Sequence, residues 1–316
     1  MKLPAFFKKE TKVKKIKPVR EKPAREKPEK KQEEAPPRQR KAFQLAKFTG
    51  SIFAIREDVS PFTAFLLSMI PIVLLVIIWT LVTWGPVEQR VISSIIMPSP
   101  KEFVQAIPKI LTPEKRLGAG ILVSLARITG GFLIATALAL PLGVLMGSFS
   151  KFRAAFAPIM IVGSYIPIPT LVPLTLVWFG MEEKQKVGFL AIATFVFLLP
   201  AFVKAISDVD DVFLNTGYTL GANKWHIVSK ILFPIALPEI YNSLRLGFGV
   251  GFTWIIMAEM IGAESGLGFI LKNAQSRGAD SSIVYLVLTV IVLIAFLIDK
   301  LWELGYRALF RYKEAR

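Results

Sequence analysis

The chain alternates long uncharged stretches with short polar ones. About 30 Å of hydrocarbon is crossed by about 20 apolar residues at ~1.5 Å per residue. Six stretches fit that length: residues 62–84, 119–147, 157–179, 187–206, 240–262 and 282–299. The first is free of charge. The second contains Arg127, and the third is uncharged but carries Pro158, Pro167, Pro169 and Pro173. Lys204 lies near the end of the fourth, Arg245 and Glu259 flank the fifth, and Asp299 closes the sixth. The pattern predicts an all-α membrane protein with six transmembrane helices over residues 61–316.

Residues 8–41 break this pattern. They run through Lys, Arg, Glu, Pro and Gln, too polar to offset the entropy of ordering, which predicts a disordered basic cytoplasmic tail over 1–60. The charge balance sharpens the division. The net charge is +16, and residues 1–50 hold 17 Lys and Arg against 6 Glu. An evenly basic nucleic-acid-binding domain is excluded, so no nucleic-acid partner is expected. Basic residues beside a bilayer attract anionic membrane lipid at roughly 1 kcal/mol each; a solvated tail that helps set orientation is the other reading. Outside the tail the two sides of the membrane hold equal numbers of basic residues, so the tail decides the topology. Both N- and C-termini are then cytoplasmic, in a multi-pass protein of the cell (inner) membrane.

Candidate chemistry narrows quickly. The chain has no cysteine and one histidine, His226, which removes thiolate chemistry and leaves no His cluster for a metal. It has neither a Gly-x-Ser-x-Gly elbow nor a Gly-x-x-x-x-Gly-Lys-Ser/Thr phosphate loop, so catalytic residues, metal ligands and a cofactor of its own are all expected to be absent. Three intramembrane features remain. Arg127 is either an attractor for an anionic solute or a helix-bonded structural cation. Glu259 is expected near the outer face, solvated there. The prolines around Ser164, Pro167 and Pro169 free backbone groups that lipid cannot satisfy, which makes 164–173 either a wall of the solute path or a packing kink. Gly143 and Gly147 are expected to permit close helix contact.

The longest inner connection is 207–239. Asn215-Thr216-Gly217, then Gly221-Ala222, then Lys224, Trp225, Val228, Ile231 and Leu232 at helical spacing, predict two short helices broken at Gly221. Pro234 and Pro238 are expected to end the second and start the next span. This stretch resembles the cytoplasmic loop of inner-membrane permeases of ATP-binding-cassette importers, in which Glu-Ala-Ala, three residues, Gly, nine residues and Ile-x-Leu-Pro recur. Here Gly221, Ile231 and Pro234 match in position, while Asn215 stands at the acidic place and Phe233 at the leucine. Pro98-Ser99-Pro100, Ser124-Leu125-Ala126-Arg127, Trp178-Phe179-Gly180, Trp254, Ala258-Glu259 and Ser265-Gly266-Leu267-Gly268 are similar to the same permeases. The last of these, Trp254, Ala258-Glu259 and Ser265-Gly266-Leu267-Gly268, together with Asp299, are similar to the branch importing taurine, alkanesulfonates, nitrate, bicarbonate or thiamine precursors.

The resemblance implies the type I ABC importer fold and a division of labour. The permease forms a homodimer, cytoplasmic ATPase subunits bind the ATP, and an extracytoplasmic solute-binding protein delivers a small solute, with an anion such as a sulfonate or taurine expected. Asn215, Thr216, Gly217, Leu220, Gly221, Ala222, Lys224 and Trp225 would couple to the ATPase. Arg127, Ser164, Pro167, Pro169, Trp254 and Glu259 are the candidate translocation path. A secondary transporter or channel driven by an ion gradient is the alternative; it would show paired repeats with midplane ion ligands.

Overall fold

The computed structural model describes residues 59–88, 90–112, 117–276 and 280–314. The expected tail over 1–60 lies outside the described residues except for Val59 and Ser60. Pro61–Arg316 forms one compact unit, and its described residues are helical, with no strand among them.

Helix α1 (Pro61–Val82) is apolar on every side and has no buried residue, the composition of a helix that faces hydrocarbon all round. Helix α2 (Pro100–Ile110) is short and amphipathic. The Pro98-Ser99-Pro100 motif starts it. The Ser99 hydroxyl accepts from the Glu102 N–H at 3.3 Å, and the Glu102 carboxylate accepts from the Ser99 N–H at 2.8 Å. This reciprocal pair satisfies two donors that a helix start otherwise leaves free. Arg90 ties the preceding loop to Glu102 at 2.9 Å.

The centre is built from α3 (Leu117–Ser148), α6 (Glu183–Ser207) and α9 (Phe233–Met260). Helices α3 and α6 run parallel in near contact. A Cβ at Gly131, Gly143 or Gly147 would stand 2.5–2.6 Å from the Cβ atoms of Leu190, Phe202 and Ile206 respectively. Gly143 and Gly147 therefore permit close contact, as expected, and Gly131 extends the seam. Small residues matter here because helices in lipid gain little from excluding tails and rely on close packing.

The six expected stretches all lie in helices, with one of them bent, and the reading of Pro234 and Pro238 is corrected. Among the described residues, four helices are long and apolar enough to cross a membrane: α1, α3, α6 and α11 (Ser281–Leu309). The expected span 157–179 is broken. Helix α4 (Ser150–Tyr165) and the segment Ile168–Phe179, a short 3₁₀ turn continued by α5 (Leu171–Phe179), meet at 88° and make a fifth crossing only as a bent pair. Pro167 forces the residue before it out of the helical region, and Ile166 accordingly sits at ψ 121°. The expected fifth span lies in α9, long enough at 28 residues, but Glu239, Arg245 and Glu259 interrupt its apolar surface.

The correction concerns Pro234 and Pro238, which end nothing. After α7 (Asp211–Thr219), α8 (Lys224–His226) runs through a π-helical segment, Ile227–Leu232, straight into α9. The Phe233 N–H donates to the carbonyl of Val228, five residues back. Widening the ladder just before Pro234 lets the helix continue past residues without an N–H. Helix α10 (Leu267–Ser276) covers one end of the α3–α9 pair, and α12 (Arg311–Glu314) follows α11.

Candidate functional site: a coupling turn and a buried ionic cluster

Two constellations stand at opposite ends of α9. Glu259 lies 26 residues beyond Phe233, about 39 Å along the helix axis.

At the first end, α7 begins with the Asp210 carboxylate accepting from the Val212 N–H at 2.9 Å. It finishes in a left-handed turn. The Gly221 N–H donates to the Tyr218 carbonyl and the Ala222 N–H to the Gly217 carbonyl, both at 3.0 Å, with Gly221 at φ +81°. That pair of bonds is the Schellman arrangement, and it favours glycine at the left-handed position. Asn223 then caps α8 by accepting from the His226 N–H at 2.8 Å. Leu220 is 82% exposed, and Val212, Phe213, Tyr218 and Trp225 are exposed beside it. The Trp225 ring meets Phe149 edge-on at 5.6 Å. Of the sequence-predicted coupling residues, Asn215, Thr216, Leu220, Gly221, Lys224 and Trp225 are exposed, Ala222 is half-buried and Gly217 is buried. A Cβ at Gly217 would stand 2.5 Å from Cδ1 of both Ile227 and Ile231. Gly217 therefore lets α7 lie directly on the π segment, while Gly221 makes the turn.

At the other end, Arg127 on α3 is 3% exposed and saturated. Its Nε and Nη2 donate to the two oxygens of Glu183 at 2.6 and 2.5 Å. Its Nη1 donates to Glu259 at 2.7 Å and to the Ser265 carbonyl at 2.8 Å, and its Nη2 reaches the Ser265 hydroxyl at 3.2 Å. Glu259 is fully buried, and it also accepts from the Ser124 hydroxyl at 2.8 Å and the Gly268 N–H at 2.8 Å. The expectation of a solvated Glu259 is corrected: its charge is paired and its oxygens are filled, the condition on which a carboxylate is buried at tolerable cost. Gly266, at φ +111°, passes so close that a Cβ there would collide with the Glu259 carboxylate. Lys186, also buried, donates to the carbonyls of Met181 at 3.0 Å and Glu182 at 3.3 Å.

The structure thus joins Arg127 and Glu259 directly, but not the rest of the candidate path. Ser164, Pro167 and Pro169 lie exposed at the α4–α5 break, where the Ser164 hydroxyl donates to the Met160 carbonyl at 2.9 Å. Trp254 is half-buried against the core. Sequence reasoning missed Glu183 and Lys186, which lie just before the apolar stretch 187–206. Ser124 and Ser265 were visible only as pieces of motifs, and they prove to be partners of Glu259 and Arg127. Among the described residues no group of His, Asp and Glu is placed to hold a metal ion.

The chain is 32% identical over 245 residues to the taurine transport system permease protein TauC of Escherichia coli (strain K12), covering 76% of this chain and 85% of that protein. It is 27% identical over 239 residues to the nitrate import permease protein NrtB of Synechocystis sp. (strain PCC 6803), covering 73% and 84%. A methionine ABC transporter solved in inward-facing conformations shares the fold, with a TM-score of 0.56 at 22% identity, over 61% of this chain and 95% of that one. The all-helical architecture is that of type I ABC importer permeases. Residues 139–303 match the binding-protein-dependent transport system inner membrane component family, and the chain belongs to that family.

Proposed function

We propose that the chain is the permease of an ATP-driven importer for a small anion, a sulfonate such as taurine or an oxyanion such as nitrate. It sits in the inner membrane with both termini cytoplasmic, pairs as a homodimer with lipid against α1, and receives its solute from an external binding protein. ATP is bound and hydrolysed by separate subunits that dock on the α7–α8 element. Membership in the family supports the importer role, and the names of the taurine and nitrate relatives support the choice of solute.

The observation that carries the coupling assignment is the turn at Leu220-Gly221. Among the described residues the Leu220 side chain stands uncovered, while the N–H groups of Leu220, Gly221 and Ala222 are bonded within the turn and its base is packed on the π segment through Gly217. Such an element transmits force as a rigid lever, because it is stiff toward the membrane helices and open toward a partner. A push on the turn passes through Ile227 and Ile231 into the continuous helix that ends at Glu259.

The test is Gly221→Ile in the assembled transporter. No atom lies within 4 Å of a Cβ at this position, so the penalty is backbone strain at positive φ, about 1–2 kcal/mol or more for a β-branched residue. The variant is expected to insert and fold while ATP hydrolysis no longer drives uptake. Wild-type uptake per ATP would remove the turn from the coupling route.

A further inference from the structure

The Arg127 cluster is built unlike a purely structural ion pair. Arg127 is 3% exposed, yet the carboxylate on its Nε–Nη2 edge belongs to Glu183, whose side chain is 65% exposed. The opposite edge is held by the fully buried Glu259 and by the Ser265 carbonyl. One edge of the guanidinium is therefore fixed in the protein interior. The other is held by the largely exposed Glu183 carboxylate, with the Ser265 hydroxyl beside it, and that carboxylate leaves by rotating about its own bonds. A guanidinium edge with two parallel N–H groups is the donor set that recognises two oxygens of a carboxylate, sulfonate or nitrate.

The local charges point the same way. The two buried cations, Arg127 and Lys186, are faced by the carboxylates of Glu183 and Glu259 and, near Lys186, of Glu264. Lys186 makes no ion pair among the described residues; its contacts are the two carbonyls of Met181 and Glu182. Moving Glu183 into solvent takes one negative charge from the site, which a monoanion restores and a dianion overfills. Ser265 offers its hydroxyl beside the same edge.

We propose that the Nε–Nη2 edge of Arg127 is a binding subsite for a monoanionic oxyanion, with Glu183 as the internal occupant that the solute displaces. This rests on the reading of the chain as an anion importer. It assigns to Glu183 the role of a competing ligand: while it is bound, the end of α6 is tied to α3 and α9, and when the solute takes its place, that tie is released. Solute arrival and loosening of α6 are then one event. The exchange breaks and makes equivalent charge-assisted bonds, so its free-energy change is small and the subsite is weak, as a site that must also let its solute go requires.

The experiment uses the full chain in lipid nanodiscs, with methanesulfonate as probe and methanesulfonamide as its uncharged counterpart. Titration calorimetry is expected to show methanesulfonate bound at least tenfold more tightly by Glu183→Gln than by the unmodified protein. The gain should disappear when Arg127→Lys is added, and sulfate should bind no better to the variant. Equal affinity in Glu183→Gln and the unmodified protein overturns the proposal, as does a gain that survives Arg127→Lys.

A second measurement leaves Glu183 intact. The chain has no cysteine, so Lys184→Cys carries a single fluorophore next to Glu183. Its emission should change and saturate with methanesulfonate and stay flat with methanesulfonamide. A flat response to both also overturns the subsite. No ATPase is needed in either experiment. Absent binding alongside intact ATP-driven uptake would therefore sink the subsite alone, and binding without any ATP-driven uptake would sink the importer reading instead.

Discussion

Gly217 offers the sharpest perturbation of the coupling element, because two named atoms explain it. A Cβ at 217 would stand 2.5 Å from Cδ1 of Ile227 and of Ile231, where carbon atoms prefer about 3.5–4.0 Å. Gly217→Ala therefore overlaps both methyls by about 1 Å. Overpacking of that kind costs about 1–3 kcal/mol, offset by about 0.5–1 kcal/mol from replacing glycine within a helix. The net loss is about 1 kcal/mol of docking between α7 and the π segment. Ile227→Val and Ile231→Val remove the two offending atoms and nothing else. In that background Gly217→Ala should change sign and stabilise α7 by about 0.5–1 kcal/mol, leaving only the helix term. Amide hydrogen exchange over 211–219 reads this local opening. Exchange should be about fivefold faster in Gly217→Ala alone, and about two- to fivefold slower when alanine is added to the valine pair than in the valine pair itself. An equal effect of Gly217→Ala in both backgrounds would refute the contact as the reason for the glycine.

Other expectations follow from the same packing and charge arguments. Gly143→Val places a Cβ 2.6 Å from the Cβ of Phe202, an atom fixed to the backbone, so α3 and α6 must separate; the Tm of the solubilised protein should fall. Gly118→Ala, also in α3 but with open space around it, should leave Tm equal or slightly raised. Burial raises the Glu102 carboxyl, but the Ser99 N–H and hydroxyl and the Arg90 guanidinium outweigh it and hold the group below its ordinary value. Because its folded pKa is depressed, its contribution to the start of α2 is complete above the unfolded carboxylate value, about 4.3, and is lost as pH falls through the lower folded value. Exchange protection of α2, corrected for intrinsic rate, should drop in that acid window and become insensitive to pH there in Glu102→Gln.

Much of the fold was legible because membrane length and helix period are local properties. The turn at Gly221 could be read from a glycine between two helical runs, and the seam at Gly143 and Gly147 from four-residue spacing. The bend at Pro167 was visible as proline, but not its 88°, which depends on what the two arms pack against. Pro234 and Pro238 misled because the proline rule counts bonds four residues back, whereas the chain widens to five just before them. Glu259 misled for a different reason. Its depth along α9 was readable, but its partners were not: Ser124 and Arg127 are more than 130 residues away in sequence. Glu183 carried no signal of its own, since an acidic residue at the start of a helix is ordinary. Only the fold shows that its carboxylate covers a buried arginine.

The α7–α8 element is the surface proposed to meet the ATPase. The chain has no cysteine, so Leu220→Cys, 82% exposed in the unmodified residue, introduces one thiol at the tip of the turn. Loaded with a short photocrosslinker in the assembled transporter, it should join the permease to the ATPase subunit, with a yield that changes when ATP is added. Crosslinks to lipid alone, in a preparation that still carries out ATP-driven uptake, would contradict it.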